Sequence, residues 1–134
     1  MGLSSDGYRQ KLSDLRDGLL RLHKTLLDSE REAYEHDVAR IASSQQFLGL
    51  LLQDPWFAWL RELSGMIVAI DEALAAKEPA TGEDAARLTA AVRALLMPDE
   101  TAAGFGRRYF EAMQRDPGVI VAHGATVKLL SNPE

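Results

Sequence analysis

The sequence predicts an all-α fold: an antiparallel helical bundle of about five to six helices with a long first helix. Three observations carry this. Apolar residues recur at helical spacing along nearly the whole chain. Cap residues next to proline punctuate that period at Asp54-Pro55, Pro98-Asp99 and Asp116-Pro117. No segment shows the apolar–polar alternation of a half-buried strand.

Helix by helix, the first segment runs from about Asp6 to Arg40, with Tyr8, Leu12, Leu15, Leu19, Leu22 and Leu26 at helical spacing. A short second helix spans about Ser44 to Gln53, and Ser43 with Gln46 fits a capping box. The third opens at Asp54-Pro55, an N-cap followed by proline in the first turn, and carries Trp56, Leu60, Leu63, Ile67, Ile70 and Leu74. After the loop Lys77–Gly82, a fourth helix turns Leu88, Val92, Leu95 and Leu96 inward. Pro98-Asp99 starts a fifth, from about Glu100 to Arg115. Asp116-Pro117 opens a sixth, with Val119, Ile120, Val127, Leu129 and Leu130. Ser131 to Glu134 should fray.

At 134 residues the chain suits one domain, residues 1–134, large enough for a hydrophobic core without staples. It has no cysteine, which excludes disulfides, thiolate metal sites and cysteine nucleophiles. A net charge of −5 and the lack of a clustered basic face argue against nucleic acid as a partner. The one adjacent basic pair with aromatic company is Arg107-Arg108, beside Phe105, Tyr109 and Phe110. No run has the length of a membrane span or the form of a signal peptide, so a cytoplasmic protein without a membrane partner is expected.

The first helix poses a size problem. About 33 residues make a rod of roughly 50 Å, whereas a compact domain of this size has a radius of gyration of about 14 Å. Either the helix breaks, at Gly18 or near Ser29, or part of it overhangs. An apolar overhang is most simply covered by a second copy in a symmetric dimer.

The same helix carries a polar line inside its apolar arc: Arg16, His23, Glu30 and Asp37, each seven residues after the last, with Tyr34 beside them. Asp71 and Ser64 fall inside the apolar arc of the third helix, His123 inside that of the sixth, and Tyr109 is central on the fifth. Unpaired buried charge is costly, so these groups should meet one another or a ligand. One reading is a satisfied hydrogen-bond network that sets helix register, with Arg16 and Asp37 reaching solvent. Another is a ligand site of His23, Glu30, Tyr34, Asp71 and His123, with His23, Glu30 and His123 able to hold a divalent metal, or the pocket a haem or small molecule. A third is an enzyme with Glu30 or Asp71 as acid or base beside His23. Paired Glu-x-x-His motifs, a nucleophile elbow, a Walker loop and HExxH are all absent. His36, with Glu32 and Glu35, reads as part of a solvated face.

Trp56, Phe57 and Trp59 should point in three directions from one helical turn, and any ring left exposed would mark an interaction surface. The runs Leu22–Arg31 and Asp54–Leu60 resemble motifs of small uncharacterised bacterial helical proteins. The resemblance covers the first half of the chain and implies a bacterial, cytoplasmic setting, with no activity or ligand attached. The residues favour a non-enzymatic interaction module that self-associates, as a homodimer, and contacts another protein. The alternative is the ligand-binding bundle.

Overall fold

The computed structural model describes residues 5–131. These form six α-helices and one 3₁₀ segment: α1 (Ser5–Asp37), α2 (Ser44–Gln53), the 3₁₀ helix (Pro55–Leu60), α3 (Arg61–Ala75), α4 (Gly82–Leu95), α5 (Phe105–Arg115) and α6 (Pro117–Ser131). There is no strand among the described residues. The fraying expected at the C-terminus falls, from residue 132 on, outside them.

The long helix α1 does not break: it is continuous over 33 residues and forms the axis of the bundle. It touches α3, α4, α5, α6 and the 3₁₀ segment. Its Leu12, Leu15, Leu19, Leu22 and Leu26 are buried against Leu63, Ile70, Leu88, Val92, Tyr109 and Val119 of the surrounding helices. Gly18 does not break the helix. A Cβ there would lie 2.5 Å from Leu129 Cδ1, so α6 closes onto α1 over the missing side chain.

The size problem is resolved at the other end. From Glu32 to Asp37 most of the helix surface is exposed, and only Ala33 and Tyr34 are covered. The helix stops three residues before the expected Arg40 because the chain doubles back. Val38 N and Ala39 N both donate to Tyr34 O, Ile41 N donates to the Glu35 carboxylate, and Ile41 is buried.

Caps delimit the remaining helices. Ser43 accepts from Gln46 N, as expected, and the Gln46 side chain takes the Ala42 N–H. Thr81 and Asp84 form a reciprocal capping box at α4. Two boundaries differ from the sequence expectation. Asp54-Pro55 opens a 3₁₀ helix, and α3 begins only at Arg61. The fifth helix begins at Phe105, five residues after Glu100, because Asp99 folds the intervening stretch into a turn. Its carboxylate accepts from both the N–H and the hydroxyl of Thr101, and Gly104 then takes φ +77°. That left-handed conformation suits glycine.

Two further expectations are corrected. On α6, Ile120 and Val127 face outward, and Thr126 is buried beside Val119 and Leu130. Asp71 lies at the solvent edge of α3, not inside its apolar face.

Candidate functional site

The fully buried charge among the described residues is Glu30, 1% exposed. Each of its carboxylate oxygens accepts one indole N–H: Trp59 Nε1 donates to Oε1 and Trp56 Nε1 to Oε2, both at 3.1 Å. Two guanidinium groups of α5 complete the surroundings, Arg115 at 3.6 Å and Arg108 at 3.8 Å. Arg108 also donates to Trp56 O and lies 5.8 Å from the ring centres of both tryptophans. Arg115 donates to the buried Ser29 hydroxyl.

The 3₁₀ segment explains this convergence. At three residues per turn, positions i and i+3 eclipse. Trp56 and Trp59 therefore present their indoles on one side, without the roughly 60° offset that i and i+3 have in an α-helix. Phe57 turns the other way, buried against Tyr34 and Phe47. Arg108 and Arg115, seven apart on α5, share one face of that helix. Burial pushes the Glu30 carboxyl up from its ordinary value, and Arg115, Arg108 and the two indole bonds pull it part of the way back.

The other polar residues of the predicted cluster find separate partners. His23 Nε2 is 3.0 Å from Ser64 Oγ, which also lies 3.3 Å from Leu60 O. Arg16 pairs with Asp17 at 3.2 Å and Asp71 at 3.4 Å, at the surface. Tyr109 Oη is 2.7 Å from His123 Nδ1, and burial raises the phenol and lowers the imidazole. Both groups are then neutral near pH 7, and the tautomer of His123 sets which of them donates. Burial likewise lowers His23. Tyr34 makes no polar contact to Glu30 in this network and packs edge-on against Trp56, 5.6 Å between centres. Asp37 is exposed and bonded to His36.

The structure therefore does not bring His23, Glu30, Asp71 and His123 together. Among the described residues no group of three or more histidine and carboxylate side chains is arranged to hold a metal ion. Of the aromatic trio, Phe57 and Trp59 are buried and Trp56 is half-buried. The basic pair is consumed internally: Arg108 as above, Arg107 by Glu111 and Glu100 O.

The polar line proves to be half of a ladder. As α1 ascends by seven from Arg16 to His23 to Glu30, its partners descend, from Asp71 by seven to Ser64 and then by five and eight to Trp59 and Trp56. This is an antiparallel register of α1 against the 3₁₀–α3 unit.

A cleft of about 510 Å³ lies next to the Glu30 node, bordered by Ser29, Glu32, His36, Asp37, Arg115 and Asp116. Its one guanidinium is already engaged by Ser29 and Glu30, and His36 by Asp37. It therefore aims no convergent donor set at a ligand.

Two helices have outer faces of a different character. No Asp, Glu, Lys or Arg occurs from Ile41 to Gln53 or from Pro117 to Val127. Leu48 (55%) and Leu52 (64%) are exposed on α2, and Ile120 (50%), Val121 (72%) and Val127 on α6. A surface helix ordinarily sets charged residues against solvent. No helix among the described residues is long and apolar enough to cross a membrane. No protein-family model, curated protein or solved structure matches this chain.

Proposed function

We propose that this chain is a helical-bundle interaction module, acting in the bacterial cytoplasm by self-association and protein contact and carrying no chemistry of its own. The observation behind this reading is the pair of uncharged stretches, Ile41–Gln53 on and before α2 and Pro117–Val127 on α6, which leave Leu48, Leu52, Ile120, Val121 and Val127 in water. Apolar residues clustered this way on otherwise polar surfaces mark contact sites. The polar groups in the core support it from the other side. Glu30, His23, Tyr109 and His123 are each engaged within the fold, which leaves the outer faces to make contacts.

The test is sedimentation velocity on untagged protein from low micromolar to several hundred micromolar. The reading expects a mass that rises above the 14.8 kDa of one chain as concentration increases. A species that stays at one chain's mass over the whole range overturns it.

A further inference from the structure

We infer that Trp56, Trp59, Phe105 and Tyr109 form a relay that carries a one-electron oxidation from the protein surface to the buried Tyr109. The oxidant comes from outside and the chain turns over no substrate, so the relay is independent of self-association.

Ring contacts supply the path for the electron. Trp56 is half-buried and is the ring of the four that solvent reaches; the other three are buried. It shares the Glu30 carboxylate with Trp59, and the Arg108 guanidinium carbon lies 5.8 Å from both indole ring centres. Trp59 lies 5.1 Å from Phe105, and Phe105 lies 5.4 Å from Tyr109, centre to centre. Both are separations of aromatic rings in contact. A phenyl ring is too hard to oxidise to hold the vacancy, so Phe105 bridges the two rings that can.

Bases supply the path for the proton. An indole or a phenol that loses an electron becomes strongly acidic, and its oxidation is easy only where the proton has a base to receive it. Each oxidisable ring of the relay has one in place. Both indole N–H groups donate to the Glu30 carboxylate at 3.1 Å, and the Tyr109 hydroxyl is 2.7 Å from His123 Nδ1. Burial keeps the phenol protonated and the imidazole neutral, so the tautomer with a free Nδ1 has the acceptor ready before oxidation. Tyr34 also touches Trp56, at 5.6 Å, but among the described residues no base bonds its hydroxyl.

Each step balances. A small diffusing radical takes one electron from Trp56 and leaves as its anion, while the indole proton passes to Glu30. An electron from Trp59 then restores Trp56: Glu30 returns the first proton through Oε2 and takes that of Trp59 through Oε1. An electron from Tyr109 crosses Phe105 to Trp59, Glu30 gives that indole its proton back, and the phenol proton moves to His123. A neutral tyrosyl radical beside a histidinium remains, with both indoles and the carboxylate as they began. The direction is set by the phenol, which with a base beside it is oxidised more readily than an indole at neutral pH.

The experiment generates azidyl radicals by pulse radiolysis and follows the indolyl and phenoxyl absorption bands, with circular dichroism melts to report folding. The chain holds two tryptophans and three tyrosines. In Tyr8→Phe/Tyr34→Phe, Tyr109 is the one phenol left, and burial shields it from the radical in solution. The phenoxyl band should still grow there as the indolyl band decays, first-order and at a rate independent of protein concentration. Tyr109→Phe should lose this growth. His123→Leu removes the proton acceptor but no ring between Trp56 and Tyr109, and should slow the growth by about 100-fold or more. The relay is overturned if the double variant forms no phenoxyl radical, if the rate scales with protein concentration, or if the growth survives in Tyr109→Phe. An unchanged rate in His123→Leu overturns the base assigned to Tyr109. If either tyrosine variant fails to fold, the other decides.

Discussion

Replacing Glu30 with alanine removes the acceptor for two indoles and the counter-charge for two guanidinium groups at once. Each bond to a charged acceptor is worth about 1.5–3 kcal/mol, and breaking a buried charged cluster by deleting one partner costs about 3–5 kcal/mol. The buried Trp59 N–H has no other bond in the structure to fall back on. Glu30→Ala should therefore lose about 3–5 kcal/mol. Glu30→Gln keeps the volume and one acceptor but turns an amide N–H₂ toward the second indole, and should lose about 1–3 kcal/mol. Urea titration followed by far-UV circular dichroism measures both. An alanine variant within about 1 kcal/mol of wild type, or a glutamine variant as unstable as the alanine one, would refute the role assigned to the carboxylate.

The same pair of proteins tests the sign of the burial effect. The folded-state pKa of Glu30 lies above its ordinary 4.5, so the folded protein holds this proton more tightly than the unfolded chain. The associated stability is fully present below pH 4.5 and is lost as pH rises through the folded value. Glutamine does not titrate, so the margin of wild type over Glu30→Gln should narrow as pH rises across that window. A margin that widens would mean that the arginines and indoles outweigh desolvation.

Three further outcomes follow from the structure. Both His23 and His123 have pKa values held below 6.5, so the folded state takes up fewer protons, and stability should fall as pH drops through 6.5 toward the folded values; urea midpoints at pH 7.5, 6.5 and 5.5 should show it, and the double change to asparagine should flatten the slope. Gly18→Ala gains about 1 kcal/mol of helix propensity but brings a methyl group against Leu129 Cδ1, the end of a half-buried side chain that must turn aside, so a net change smaller than about 1 kcal/mol is expected in a thermal melt, and a larger loss would show that Leu129 is locked in place. Thr81→Ala removes the acceptor for Asp84 N at 3.0 Å and should cost about 1 kcal/mol by the same assay.

What the sequence reveals of this molecule depends on how strongly each signal is coupled to local structure. The leucines of α1 and the caps at Ser43, Thr81 and Asp116 are local signals, and the structure follows them. The orientation of α6 was not legible, because a helix apolar on nearly every side has no preferred face; only docking against α1 selects Val119 and Thr126 over Ile120 and Val127. The Trp56–Trp59 geometry was lost to the choice between 3.6 and 3.0 residues per turn, which a cap and a proline do not decide. Glu30 was marked as buried by its place on the wheel, but its arginine partners lie 78 and 85 residues further on, and the only trace of them is the seven-residue interval from Arg108 to Arg115.

The polar ladder also bears on where function resides. Leucine packing alone tolerates sliding of one helix along another, since similar side chains recur every turn or two. Sliding the 3₁₀–α3 unit by one turn along α1 would separate His23 from Ser64 and Arg16 from Asp71 together, and would leave Glu30 buried without its indoles. That last loss is the expensive one, so a carboxylate that contributes little net stability still selects one register over its neighbours. The polar groups of the ladder are thereby committed to placing the helices. The outer side chains of α2 and α6 are not, since Leu48, Leu52, Ile120 and Val121 could be polar without disturbing any rung of the ladder. Under the proposed reading, these exposed apolar side chains are the ones available for contacts outside the fold.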